Sequence, residues 1–320
     1  MAPLSFPVKT PAMTTQLYSN PISLEHLVPA GHPERPDRIR ALEAVFEHHN
    51  FDPLVRLEAP IAAEELVLLA HPEHYLARVK SMIPETGMAR VDEDTTASPR
   101  SMQAALASVG GAVSAIDAIM KGEADNAFVM TRPPGHHAER DRAMGFCFFN
   151  QAAIAARYAQ KTYRIERVAI VDWDVHHGNG TQDIFEDDNS VIYCSTHQMP
   201  LYPGTGALSE TGVGNIFNAP LSPNDGSDHF REAFKTRILP ALENARPDLI
   251  IISAGFDAHH RDPLAEINLT ADDFDWATGK LMDVSARHSG NRVVSLLEGG
   301  YDLMGLAESA AAHVLRLMRG

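Results

Sequence analysis

With 320 residues, 44% of them hydrophobic and 22% charged, the chain is long enough for one large α/β domain or two small ones. Its mean hydropathy of -0.18 is that of an ordinary globule. No apolar run approaches the roughly 20 residues of a bilayer span, and the N-terminus lacks the charged-then-apolar order of a secretory signal. A formal net charge of -15 argues against general nucleic-acid binding, which needs cationic patches. It is compatible with a cationic substrate drawn in over long range.

Residues 1–12 are Pro-rich and read as a leader or loose arm, and residues 13–320 as one domain. Along that domain, strand-like apolar runs recur at 16–19, 127–131, 168–171, 191–195, 249–253 and 293–297. Helical spacing of apolar residues marks 38–49 (Ile39, Leu42, Val45, Phe46) and 101–120 (Ala105, Val109, Ala112, Ile116, Ile119), the latter with Ser101 as expected cap. Gly110-Gly111 inside that second helix points to close packing against a neighbour. Further helices are expected at 150–161, 227–244, 270–288 and 303–318, and Thr270-Ala-Asp-Asp273 has the form of a capping box. Short apolar strands alternating with helices imply an open, mostly parallel β-sheet with helices on both faces. Cys147 and Cys194 sit in apolar settings and read as buried free thiols of a reducing, cytoplasmic compartment.

Polar clusters follow strand after strand. Arg132-Pro-Pro-Gly-His136-His137 follows the run at 127–131, and Asp172-Trp-Asp174-Val-His176-His-Gly-Asn179-Gly that at 168–171. Gly255-Phe-Asp257 follows the run at 249–253, and Glu298-Gly-Gly-Tyr301 that at 293–297. In a parallel sheet these loops share one edge, so their groups can converge. Asp174, His176 and Asp257 then offer two carboxylates and one imidazole, the form of a catalytic zinc site with an open position. The same donors suit iron(II), cobalt or manganese. A hydrogen-bonded acidic loop capping the next helix is the plain alternative. His136 and His137, behind a rigid turn, can face a metal-bound water as general base and electrostatic partner, with Asp172 and Asn179 as candidates to fix their tautomers. The Tyr301 hydroxyl can donate to an oxyanion.

These motifs together resemble the histone deacetylase family of the arginase-deacetylase superfamily, and Asp172-Trp-Asp-Val-His-His-Gly-Asn-Gly-Thr-Gln182 resembles its class II branch. Arg132-Pro-Pro-Gly-His-His137, Gly145-Phe-Cys-Phe-Phe-Asn150, Gly255-Phe-Asp-Ala258 and Leu297-Glu-Gly-Gly-Tyr301 match further family motifs in the family's order, from about His32 to the C-terminus. The resemblance implies the arginase-deacetylase fold and one catalytic zinc on Asp174, His176 and Asp257. It also implies His137 as general base and acid, His136 assisting, Asp172 and Asn179 orienting them, and Tyr301 stabilising the transition state. Many class I relatives have Asp where this chain has Asn179, and a neutral amide should make the attached imidazole less basic. By the same resemblance Gly145, Phe146, Tyr202, Leu264 and Gly299 belong to a substrate tunnel.

The resemblance further implies a structural potassium ion near Asp172, Asp174, His176, Ser195 and Thr196, and a second cation at Phe185, Asp188 and Val191. The implied reaction is hydrolysis of an Nε-acyl-lysine amide in a peptide or protein. An acetylpolyamine amidohydrolase is the alternative within the enzyme class; there an acidic residue gates the tunnel, and the matching Leu264 is apolar. Asp92 and Asp94 are candidates to hold a substrate backbone or ammonium. A non-catalytic acyl-lysine-binding protein is the alternative from another class. No nucleic-acid or membrane partner is expected, and a homo-oligomer is compatible with the reading.

Overall fold

The computed structural model describes residues 13–320; the leader or arm expected at residues 1–12 lies outside the described residues. In chain order the strands are β1 (Thr15–Ser19), β2 (Val55–Glu58), a short ribbon of β3 (Ala89–Arg90) and β4 (Thr96–Ala97), then β5 (Asn126–Met130), β6 (Val168–Asp172), β7 (Val191–Gln198), β8 (Ile216–Leu221), β9 (Leu249–Ala254) and β10 (Val293–Leu297). All but the ribbon join one parallel sheet in the order β2-β1-β5-β10-β9-β6-β7-β8. The helices are α1 (Asp37–Phe46), α2 (Glu73–Met82), α3 (Ser101–Met120), α4 (Gln151–Tyr163), α5 (Asn179–Phe185), α6 (Ser227–Ala233), α7 (Leu239–Ala245), α8 (Ala271–His288) and α9 (Leu303–Arg319).

Alternation along each strand divides the core between two faces. Phe128, Met130, Ile250 and Ile252 pack with α1, α8 and α9, whereas Ala127, Val129, Leu249 and Ile251 pack with α3, α4 and α5. Burial on both faces is why the central strands read as unbroken apolar runs, each Val or Ile contributing about 1.5–3 kcal/mol. After β6 the chain crosses through α5 to β7; after β9 it crosses through α8, on the opposite face, to β10. The two connections part between the neighbouring strands β6 and β9, and such a parting opens a crevice at the carboxyl ends of the strands.

Several elements depart from expectation. β2 is an exposed edge strand, Val-Arg-Leu-Glu, and β8 carries Pro220, which an edge tolerates. Neither has the apolar run of a central strand, and α2 and α5 also lacked a legible signal. The helix expected over 227–244 is interrupted by a π-helical turn at Phe234–Ile238, ahead of Pro240 in α7, which has no N–H to continue the ladder. Ser101 heads α3 without the expected cap; its Oγ instead accepts from the Ser98 N–H at 2.7 Å and pairs with His26 Nδ1 at 2.7 Å. α3 itself is long and apolar enough to cross a bilayer by length and composition, although Gln103, Ser108, Ser114 and Asp117 break any continuous apolar run in it. It is a core helix: most of it is buried, and a Cβ on Gly110 or Gly111 would strike Pro60 O or Val129. The capping box at α8 is present, with the Thr270 N–H donating to Asp273 Oδ2 at 3.0 Å. Cys147 and Cys194 are both free and buried.

Candidate active site

β6 ends at Asp172, and beyond it Trp173 and Val175 point into the core. The alternate residues Asp174 and His176 turn toward the crevice, where the loop after β9 brings Asp257. One donor atom from each of these three buried residues lies within 4.8 Å of the others. His176 Nδ1 stands 3.2 Å from Asp174 Oδ1 and 3.1 Å from Asp257 Oδ2. Backbone donors fix the remaining oxygens, Gly299 N–H on Asp174 Oδ2 and Val175 N–H on Asp257 Oδ1, each at 2.8 Å. The approach is so close that a Cβ on Gly255 would lie 2.1 Å from Asp174 Oδ2 and one on Gly299 2.2 Å from Asp257 Oδ2.

The space between these donors seeks a cation. Burial opposes charge on His176, yet its bonds to Asp174 and Asp257 push its pKa up to about 10. Burial and the charge of Asp174 push Asp257 up to about 7. Two buried carboxylates and an imidazole that converge in this way fit a divalent metal ion with a coordination position left over.

The paired histidines lie beside this cluster, their ring centroids 4.0 Å apart. His136 Nδ1 meets Asp172 Oδ2 at 3.0 Å, and that oxygen also accepts the Tyr193 hydroxyl at 3.0 Å. Burial alone would make His136 less basic; the carboxylates of Asp174, Asp172 and Glu298 outweigh it and raise the pKa well above the usual imidazole range. His137 Nδ1 meets Asn179 Oδ1 at 2.8 Å, and the Asn179 amide donates in turn to Glu139 Oε1 at 2.7 Å. Burial, followed by the neighbouring His136 and His176, lowers the His137 pKa well below the usual range. One imidazole is thus biased toward the charged form and the other toward the neutral form.

A cavity of about 250 Å³ opens over His137 and His176. Gly145, Phe146, Tyr202 and Leu264 form its walls, together with Leu201, and Asp94 lines it too. Tyr202 stands edge-on to His137 at a centroid distance of 5.2 Å, and Phe146 edge-on to Tyr301 at 6.0 Å. Tyr301 completes the lining; burial and the charges of Asp257 and Asp174 push its pKa well above the usual phenol range, so its hydroxyl stays a donor.

The sequence of this chain matches the model of the histone deacetylase domain over residues 32–317. The chain belongs to the histone deacetylase family. It is 42% identical over 278 residues to the histone deacetylase-like amidohydrolase of Pseudomonas aeruginosa, covering 85% of this chain and 73% of that one. It is 36% identical to a probable deacetylase of Archaeoglobus fulgidus, covering 96% and 87% of the two chains. The crystal structure of the HDA15 HD domain superposes with a TM-score of 0.89 at 36% identity, covering 95% of this chain and 89% of that one. The fold is therefore that of the histone deacetylases, and membership makes the chain a hydrolase of the amidohydrolase type.

Within this family member, the structure brings together the expected Asp172, Asp174, His176, Asp257, His136, His137, Asn179 and Tyr301. Gly145, Phe146, Tyr202 and Leu264 line the cavity as expected. Gly299 does not: it backs the carboxylates, because a residue without Cβ is what lets Asp174 and Asp257 crowd the β10 exit. Asp92 pairs with Arg142 at 3.1 Å and lines a separate hollow of about 360 Å³, so only Asp94 of that acidic pair reaches the cavity. Ser195 is in register with Asp172, but its hydroxyl is engaged by His197 Nδ1 at 2.8 Å, whereas Thr196 Oγ1 is buried without a partner. The expected second cation position is filled from within. The Phe185, Asp188 and Val191 carbonyls converge on the Asn215 side-chain nitrogen at 2.8, 3.0 and 2.9 Å, so an amide donor stands where an ion was expected.

Other residues of the site carried no signal for their roles. Glu298, pushed up to about 7 by burial, accepts the Gly135 and His136 N–H groups at 2.7 and 3.2 Å and so ties β10 to the histidine loop. Glu34 takes Arg132 through both carboxylate oxygens at 2.7 Å and Arg38 at 3.0 Å. Arg38 in turn holds Gly300 O at 2.7 Å and lies 5.1 Å from the centre of the Tyr301 ring.

Proposed function

We propose that this chain hydrolyses the amide of an Nε-acyl-lysine side chain in a peptide or protein, releasing lysine and a carboxylate. The observation that carries the reading is the meeting of Asp174, His176, Asp257, His137 and Tyr301 at the end of one narrow, partly aromatic cavity. Asp174, His176 and Asp257 would hold a zinc ion, which when bound polarises an acyl carbonyl and acidifies a water. His137, kept neutral by burial and aligned by Asn179, accepts the proton of the attacking water and returns it to the leaving amine. His136, paired with Asp172, carries positive charge beside the developing oxyanion. The Tyr301 hydroxyl donates to that oxyanion. Phe146 and Tyr202 flank an extended lysine chain and exclude water. A structural potassium ion near Asp172, Asp174, His176, Ser195 and Thr196 and a cytoplasmic location belong to the same reading, the ion because it offsets an excess of buried carboxylates.

Acetylpolyamines are the second reading, favoured by Asp94 in the cavity lining, where a carboxylate can receive a second ammonium. Leu264 is apolar and in the wall, which favours acyl-lysine. The deciding experiment compares kcat/KM of the zinc-loaded enzyme for acetyl-lysine peptides and for acetylspermidine and acetylputrescine, with a chelator control. Acetyl-lysine peptides should be preferred, and chelation should abolish turnover. Preference for the polyamines transfers the assignment to them. A protein that binds acetyl-lysine peptide without turning it over is a reader and no hydrolase.

A further inference from the structure

We infer that Asp262 is a positioning residue that holds the backbones of two residues of the cavity lining, Tyr301 and Leu264, in one fixed relation. The inference rests on the functional reading above, because it acts through Tyr301. Asp262 is buried in the loop after β9. Its Oδ2 accepts the Tyr301 N–H at 2.7 Å and the Asp302 N–H at 3.4 Å; its Oδ1 accepts the Leu264 N–H at 3.0 Å. Both Tyr301 and Leu264 line the same cavity.

The chain needs such an anchor. Tyr301 follows Gly299-Gly300, and Gly300 has φ +123°, a conformation open to glycine and strained for other residues. Nothing in the local sterics of that pair fixes where the phenol points. Arg38 holds the backbone on the N-terminal side, at Gly300 O and Glu298 O. On the C-terminal side the hold comes from Asp262. An oxyanion donor has to be placed to about half an ångström, and a displacement of about 1 Å costs up to a hundredfold in rate. Because the other oxygen of the same carboxylate sets Leu264, a change at Asp262 reaches both turnover and substrate fit.

Asp262→Asn disturbs the shared hold on both connections. An amide has one acceptor oxygen, so one of the backbone N–H groups must face an NH2 donor instead. The expected result is a fall in kcat of about tenfold, the size of one lost backbone anchor, together with a change in KM for an acetyl-lysine peptide. In a Tyr301→Phe background the kcat effect of Asp262→Asn should shrink to less than about twofold, because the group it positions is gone. In a Leu264→Ala background the KM effect should disappear. A general structural role would leave these effects additive, and additivity overturns the inference. If Asp262→Asn does not fold, Asp262→Glu keeps both acceptor oxygens displaced by one methylene and enters the same cycles. A wild-type enzyme that is active while Tyr301→Phe runs at the parent rate counts against the functional reading itself, whereas a slow Tyr301→Phe enzyme with additive Asp262 effects counts against the positioning role alone.

Discussion

Replacing Asn179 by Asp should move the pH dependence of the enzyme in a calculable direction. His137 Nδ1 lies 2.8 Å from Asn179 Oδ1, and the imidazole is kept neutral chiefly by burial and then by His136 and His176. A carboxylate in place of the amide would face an imidazolium whose charge centre is about 4 Å away, worth about 4 kcal/mol at an effective dielectric of about 20, or about three pH units. Part of that is lost because the amide already accepts a bond, and because the new carboxylate would meet Glu139 Oε1, now 2.7 Å from the amide nitrogen. A rise of about one to two units is therefore expected. A general base works in its deprotonated form, so the acid limb of kcat/KM should move up by that amount, with little change on the basic side. The measurement is kcat/KM across pH 5–9 for the parent, Asn179→Asp, and Asn179→Asp with Glu139→Gln, which removes the repulsion and should give the larger shift. An acid limb that stays in place in a folded, metal-loaded variant would refute the assignment of His137 as the base.

Three further outcomes follow from the geometry. Tyr301→Phe should lower kcat by roughly 10²–10³ with a small effect on KM, as for loss of one oxyanion donor; steady-state kinetics decide it, and near-parent turnover removes the role. Gly299→Ala should strip the site of metal without unfolding the chain, since the new methyl would lie 2.2 Å from Asp257 Oδ2 and 2.6 Å from Asp174 Oδ2; elemental analysis after dialysis at full occupancy would contradict this. Buried His26 and His313, held near 3, and His71 and His197, held near 4, are all depressed first by burial. Unfolded histidine titrates near 6.5, so their contribution to stability is complete above that pH and is lost as pH falls toward 4, at about 1.4 kcal/mol per pH unit for each. His177, also held near 3, adds to this, while Asp257 and Glu298, raised to about 7, oppose it by taking up protons in the folded state over the same range. His313→Gln should therefore lower the pH slope of stability between pH 6.5 and 5, read from denaturant midpoints, by about 1.4 kcal/mol per pH unit, one histidine's share; a slope unchanged by the substitution would show that His313 is not held neutral by the fold.

What the sequence disclosed follows from where burial is symmetric. The strands between β5 and β7 are covered on both faces, so their apolar runs stand out, and the donors appear as abrupt polar clusters at their ends. The edges are different: Val55–Glu58 is exposed along its whole length and pairs on one side only, so no run of apolar residues is needed there. The meeting of donor groups was legible where residue type restricts what can stand at a strand end, as with two aspartates and a histidine after strands. It was not legible where the role depends on a distant partner. Tyr193 looks like an ordinary β7 core residue until its hydroxyl is seen on Asp172, and Asn215 gives no hint that it caps three carbonyls.

The buried ion-pair network makes the same point about energetics. Glu34 is separated from Arg132 by 98 residues, and neither side chain touches the cavity, yet both are fully buried. Removing one partner of such a pair leaves an uncompensated buried charge, typically costing 3–5 kcal/mol. Two polar groups are retained there although apolar residues of the same volume would fill the space. What the network does is geometric: Glu34 fixes Arg132 at the head of the histidine loop and Arg38 at the carbonyls before Tyr301. His137 and Tyr301, the proposed base and oxyanion donor, come from different strand ends, and a single carboxylate with a guanidinium on either side links their loops. A packed apolar contact slides; a bidentate ion pair has a register. That distinction explains why charge is buried behind a cavity whose own walls are largely apolar.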